Sequence, residues 1–592
     1  MTEMKRESAV ETPIGGTNQG VWGSDAIAAL LRKLDVQYVA LNPGSSFRGL
    51  HDSLVNYLHN TAPRMLLCLH EEHAIAIAHG WAKVTGRPMA VILHANVGLM
   101  HGAMAIYNAW CDRVPMLILG ATGPVDATLR RPWIDWIHTS RDQAAIIRPY
   151  VKWDDQPASL DASLASMVRA LVATTTVPHA PTYVCFDVTV QETALSAMPD
   201  LPDPSQFAVP DPPTPSMDQV LRLREYLQMS KRPVFLMGRM SRSADDWAAR
   251  VALAEHFNAK VLTDIKTGAV FPTDHSLHVG PPSYFLSEAQ SGALREADLV
   301  VAFDWVDAAS SIKQSGARAP VINISIDHHL MSGWSFDHTG PLESAMHIAT
   351  LPDTCIAALS AELSVPPTPA PKALPPCPTV PYEASSEPIT MRRFAAALGK
   401  GLAADQVTLV RLPLGWDGGF WHFRHPLDYL GYDGGAGIGS GPGMLVGAAL
   451  ALRDTGRIPV AVLGDGDTMM GNAALWTAAR YEIPMLLVIC NNRSYYNDEI
   501  HQEKVANIRN RLVENKWIGQ AIRDPDIDFA ALARAQGLMG IGPVSTVETL
   551  AEALSEGVRR VKSGACVVID AHVEPAYADA MKKGMSEEDG PG

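Results

Sequence analysis

The chain has 592 residues, 47% hydrophobic and 19% charged, with a formal net charge of −15. That length exceeds what a single hydrophobic core organises, so two to four domains are expected. The acidic balance argues against a nucleic-acid or anionic-membrane partner, and seven scattered cysteines without a CxxC pair suggest neither a zinc site nor a disulfide framework. The polar opening "MTEMKRESAVETPIGGTNQG" has no apolar core of a signal peptide. No uninterrupted apolar run approaches the ~20 residues that span a bilayer. A soluble, cytoplasmic chain is the expectation.

In chain order, "VQYVALNPG" (36–44), "PMAVILHANVG" (88–98) and "VPMLILGATGP" (114–124) read as strands ending in loops, with a helix over 98–112. A proline-dense stretch, 197–218, follows. Beyond it, "RPVFLMGR" (232–239), "AKVLTDIK" (259–266), "ADLVVAFD" (297–304) and "PVINISID" (320–327) are strands spaced by helix-length segments. A second proline-dense stretch, 364–388, precedes "VTLVRLP" (407–413), "IPVAVLGDGD" (458–467), "IPMLLVICNN" (483–492) and "ACVVIDAHV" (565–573). Proline-rich segments without periodicity are extended connectors. The expected domains are therefore 1–196, 218–363 and 389–592. Short apolar, β-branched runs alternating with amphipathic helices predict an α/β chain of three doubly wound parallel-sheet domains. In such sheets ligands collect at the carboxyl ends of the strands.

Those ends carry the chemistry-bearing residues. Ser45 lies in "ALNPGSSFRGL", where a plain reading is a turn with a serine N-cap. Glu71 opens a helix in "LCLHEEHAIAIAHGWAKVTGRP", where an acid complements the helix dipole. His94 ends a strand in "ILHANVGLMHGAMAIYNAW", placed for proton transfer near neutral pH or as an ordinary polar residue. "GDGD" (464–467) passes from a strand through glycines towards a helix over 472–482, and Asn491-Asn492 end the next strand. A helix N-terminus behind glycines accepts an anion. A carboxylate and an amide oxygen suit Mg²⁺ shared with a phosphate; a helix-capping Asp and an Asn turn would look the same locally. GxxxxGK[ST] and a GxGxxG with an acidic ribose reader are both missing, so a dehydrogenase has no supporting loop.

Gly-Asp-Gly, 24 residues (467–490) and Asn-Asn together resemble the diphosphate–Mg²⁺ motif of the thiamin diphosphate (ThDP) enzymes. The segments above resemble the benzoylformate decarboxylase and acetolactate synthase relatives, at matching places along the whole chain. The resemblance implies a pyrimidine-binding first domain, a central spacer and a diphosphate-binding third domain. It implies that Asp465, Asn492 and the carbonyl of Ser494 ligate Mg²⁺, with Gly464, Gly466 and Asp467 beside the diphosphate. Asp467 departs from the small or hydroxyl residue usual there. In "RLPLGWDGGF" the family's hydroxyl contacts are missing, leaving Gly415 and Gly418 as backbone candidates.

Counting back from Gly80-Trp81-Ala82 selects Glu71, not Glu72, as the acid that promotes the imino tautomer of the cofactor and hence its ylide. His94 matches the decarboxylase's His-x-x-x-Gly segment, and His101 stands where relatives have an amide near the cofactor. Ser45 is implied to bind the substrate carboxylate. In "GGAGIGSGPGM", Ile438 takes the place of the wedge under the cofactor, and the Ala436 carbonyl would receive its 4′-amino group. Non-oxidative decarboxylation of a 2-oxo acid follows, at a site shared between subunits of a homotetramer. Asn497, Asp498 and Glu499 suggest a polar pocket, and no flavin (FAD) is expected. A carboligase of the acetolactate synthase type is the alternative. From another class comes a non-catalytic ThDP-binding subunit, against which Glu71 and the metal motif speak.

Overall fold

The structure is a computed structural model that describes residues 11–15, 20–327, 340–366, 368–370, 372, 374–375 and 377–576. Three parallel sheets carry it. The first comprises β1 (Tyr38–Leu41), β2 (Arg64–Leu67), β3 (Ala90–Leu93), β4 (Met116–Thr122), β5 (Trp153–Asp155) and β6 (Pro181–Asp187), in the order β2-β1-β3-β4-β6-β5. The second contains β7 (Pro233–Met237), β8 (Lys260–Thr263), β9 (Leu299–Phe303), β10 (Val321–Ile324) and β11 (Met346–Ile348), ordered β8-β7-β9-β10-β11. The third contains β12 (Val407–Arg411), β13 (Ile458–Gly464), β14 (Met485–Asn491), β15 (Met539–Val544) and β16 (Cys566–His572), ordered β12-β13-β14-β16-β15. Central strands such as β4, β6 and β14 are buried along their whole length. That burial is why β4 and β14 read as mostly apolar runs rather than alternating ones.

Helices cover both faces. Two of them join the outer sheets: α1 (Glu71–Thr85), after β2, and α2 (Ala95–Cys111), after β3. The apolar α3 (Gly441–Leu452) lies against α1. Their approach is close enough that a Cβ on Gly80 would sit 2.0 Å from the Met444 carbonyl oxygen, and one on Gly447 1.8 Å from that of Ile77. Glycine at both positions lets backbone meet backbone. One continuous core therefore runs from Ile77 and Trp81 through Met444 and Ala448 to Leu463 and Ile489.

The expected helix over 472–482 is present, and a further short helix precedes it. The chain turns helical at once, in α4 (Asp465–Gly471), and again in α5 (Ala474–Arg480). Asp465 is thus the first residue of a helix, not a member of a loop ahead of one.

Candidate active site

β13 and β14 are neighbours, with Gly464 paired to Cys490. The residues following each strand therefore emerge side by side at one sheet edge. The Ser494 N–H is shared by the Asp465 carboxylate (3.2 Å) and the Asn492 side-chain oxygen (2.9 Å). Two oxygens separated by 27 positions in sequence thus converge on one point. Asn491 turns away, donating to Asp570 at 3.0 Å. Burial pushes the Asp465 carboxyl up to about 6, against the backbone N–H groups of Gly466, Arg493 and Ser494 that pull it down. Oxygen donors, a strained backbone at Arg493 (φ 59°) and a helix N-terminus make a donor set that suits Mg²⁺ and a diphosphate.

These groups line a cavity of about 560 Å³. Gly464, Asp465, Gly466, Asp467, Asn492, Ser494, Ala436 and Ile438 all border it. Gly415 does as well, but Gly418 is packed on the Pro282 carbonyl, which a Cβ there would meet at 2.0 Å. Asn497 and Asp498 face the cavity. Glu499 is buried and accepts the Ser494 hydroxyl hydrogen bond, so it braces the loop after β14 instead of opening a polar pocket.

Asp467, the departure noted in the sequence, is no free charge at the cavity. Its Oδ1 accepts the Gly439 N–H (2.7 Å) and the Gly441 N–H (3.3 Å). Its Oδ2 lies 3.4 Å from the guanidinium of Arg411. Arg411, missed in the sequence, is buried at the end of β12, bonded also to Asp433 (2.5 Å) and stacked on Tyr432 at 3.9 Å. Its signal was a lone cation in the apolar run "VTLVRLP". Asn108 of α2 grips Gly437 from the other side, donating to its carbonyl at 2.9 Å.

The first-sheet residues gather elsewhere. Glu71 is 7% exposed and pairs with His101 Nδ1 at 3.0 Å. Gly98 leaves room for it, since a Cβ there would lie 3.0 Å from the Glu71 carboxylate. His70 caps α1 by accepting the Glu72 N–H and stacks on His101 at 4.9 Å. Glu72 points the other way, where burial and then the Asp467 charge raise its carboxyl. His94 precedes Ala95, which is left-handed (φ 43°). Its Nδ1 meets Ser46 Oγ at 2.9 Å, and that oxygen in turn accepts the Ala95 N–H at 3.1 Å. The Ser46 N–H also donates to Nδ1 (3.4 Å); with Nδ1 an acceptor, the neutral ring carries its proton on Nε2. Burial, then His138, lower the His94 pKa. Ser45, beside it in sequence, is exposed and does not touch His94. The hydrogen bond to His94 belongs to Ser46, which the sequence did not single out. Glu71, His94, His101 and Ser45 do not line the cavity.

Three family models match in chain order. The N-terminal TPP binding domain of the thiamine pyrophosphate enzymes covers residues 21–146, the central domain 220–333 and the C-terminal TPP binding domain 415–571. The chain belongs to the thiamine pyrophosphate enzymes. Within that class it is similar to benzoylformate decarboxylase of Pseudomonas aeruginosa, 26% identical over 89% of this chain and 95% of that protein. An acetolactate synthase large subunit of Corynebacterium glutamicum is 28% identical over 47% of this chain and 43% of its own. Among solved structures, a ThDP-dependent 4-hydroxybenzoylformate decarboxylase of Rhodococcus jostii superposes with a TM-score of 0.73. That match spans 94% of this chain and 100% of the other at 22% identity, and speaks to the fold. No helix among the described residues is long and apolar enough to cross a membrane.

Proposed function

We propose that the protein decarboxylates a 2-oxo acid with ThDP and Mg²⁺ and releases an aldehyde. The observation that carries this reading is His94, its Nδ1 held by Ser46 and Nε2 left for proton transfer. A protonating histidine favours release of the product over its addition to a second carbonyl. Asp465, Asn492 and the Ser494 carbonyl would hold Mg²⁺ against the diphosphate, with the N-terminus of α4 facing the same charge. Bound ThDP supplies the electron sink that loss of CO₂ requires. Glu71 would hold a proton at the aminopyrimidine, with His101 steadying its carboxylate. Ser45, exposed on its turn, is free to bind the substrate carboxylate. Ile438 and the Ala436 carbonyl would support the cofactor's bend.

The two groups of residues lie apart in one chain, so the reading includes a second subunit whose Glu71 and His94 complete the cavity. Exposed apolar side chains flank both groups: Met100 and Met104 on α2, and Met469 and Met470 on α4. Such patches are covered in an assembly, and a homotetramer in the cytosol is the proposed form. An acetolactate synthase-type carboligase is the second reading, favoured by the C. glutamicum match.

The test is CO₂ release from a panel of aliphatic and aromatic 2-oxo acids with ThDP and Mg²⁺, beside Glu71→Gln. Turnover of one acid that the variant loses supports the reading. Condensation products without free aldehyde favour the carboligase, and ThDP binding without any turnover favours a non-catalytic subunit.

A further inference from the structure

Residues 433–441, "DGGAGIGSG", carry both Ala436 and Ile438, and five glycines and one alanine give this segment little side-chain packing of its own. Buried polar contacts at both ends hold it. At the first, Asp433 Oδ1 accepts the Ala436 N–H at 2.8 Å, while Oδ2 accepts the Ser440 hydroxyl at 3.1 Å. At the second, Asp467 takes the Gly439 and Gly441 N–H groups. One guanidinium, that of Arg411, lies between the two carboxylates, and its Nη1 also reaches Ser440 Oγ at 3.2 Å. The side chains of Arg411 and Asp433 are 2% and 0% exposed.

A carboxylate can accept two backbone N–H groups and a cation at once, which a serine hydroxyl cannot. Its charge has to be balanced when it stands buried beside another anion. Asp467 sits two residues from Asp465 in the first turn of α4, so its bonds to Gly439 and Gly441 tie the metal-loop helix directly to the segment bearing Ile438.

We infer that Arg411 is a positioning residue for the cofactor: it balances Asp467 beside the diphosphate and, through Asp433 and Asp467, locks the 433–441 segment onto α4. This rests on the ThDP reading of the cavity. The arrangement replaces a neutral contact to the diphosphate by a charged latch. The helix that receives the diphosphate and the segment that supports the rest of the cofactor then move as one piece.

The test is calorimetric titration of ThDP, at fixed Mg²⁺, into full-length wild type, Arg411→Met, Asp467→Ser and the double variant, with thermal melts of each. Arg411→Met is expected to weaken ThDP binding at least 30-fold, because it leaves both Asp433 and Asp467 uncompensated. Adding Asp467→Ser to it should recover at least tenfold, a coupling that a merely structural arginine would not produce. Wild type that fails to bind ThDP would overturn the cofactor reading and this inference together. Binding in wild type with unchanged affinity in Arg411→Met, or a double variant as weak as the single, overturns the inference alone. Should Arg411→Met not fold, Arg411→Lys keeps the charge but cannot bridge both carboxylates. A loss of tenfold or more is then expected, and unchanged affinity overturns the proposal.

Discussion

His94 is held in one tautomer by two donors from Ser46, and burial lowers its pKa below the ordinary 6.5. The acid limb of a kcat profile that reports this group is therefore expected below pH 6.5. The sign for the fold runs the same way. A histidine preferred neutral in the native state contributes stability above its unfolded pKa, and that contribution is lost as pH falls towards the lowered native value. His94→Ala should cut kcat by ~10²–10⁴ while ThDP affinity, measured by calorimetry, stays near wild type. Ser46→Ala should move the acid limb, whereas Ser45→Ala should raise KM for the acid with the limb in place. Asp465→Ala removes a carboxylate from the oxygen set at Ser494. It should weaken Mg²⁺-dependent ThDP binding by at least ~100-fold, since even outer partners of a metal ligand are worth ~10–100-fold.

α1 and α3 meet backbone to backbone at Gly80 and Gly447. Gly80→Ala or Gly447→Ala therefore forces carbonyl groups apart, and a loss of ~1–3 kcal/mol or more is expected from overpacking; a lowered melting temperature of the apo protein would show it. At this scale the sequence was most legible where strands are central. β4, β9 and β14 read plainly because both their faces are buried and their runs are almost wholly apolar. β15 did not, because "MGIGPV" is a half-buried edge strand carrying two glycines and a proline, and β5 spans only three residues. β6 was overlooked although "PTYVCFD" is buried throughout and would have answered to the same criterion. Site residues behaved likewise. The family resemblance paired Asp465 with Asn492, and the parallel neighbours β13 and β14 do bring both oxygens to the Ser494 N–H. Ser46 could not be singled out, because its bond to His94 joins side chains 48 positions apart, and Arg411 left only the mark of a lone cation in an apolar run.

Across the whole molecule, the proposed reading makes activity a property of the assembly, because Glu71 and His94 lie away from the cavity of their own chain. Specific activity is expected to fall on dilution, in step with loss of dimer by light scattering or sedimentation. A constant specific activity in a demonstrably monomeric sample would sink the shared-site reading. The contact of α1 with α3 has a further consequence, for chain connectivity. The segments that build it are 355 or more positions apart, yet the first and third sheets share one core through it. Covalent linkage through the middle of the chain is then dispensable once folding is complete. A protease site inserted within 364–388 and cut in the native protein should leave two fragments that co-elute under native conditions and separate only in denaturant.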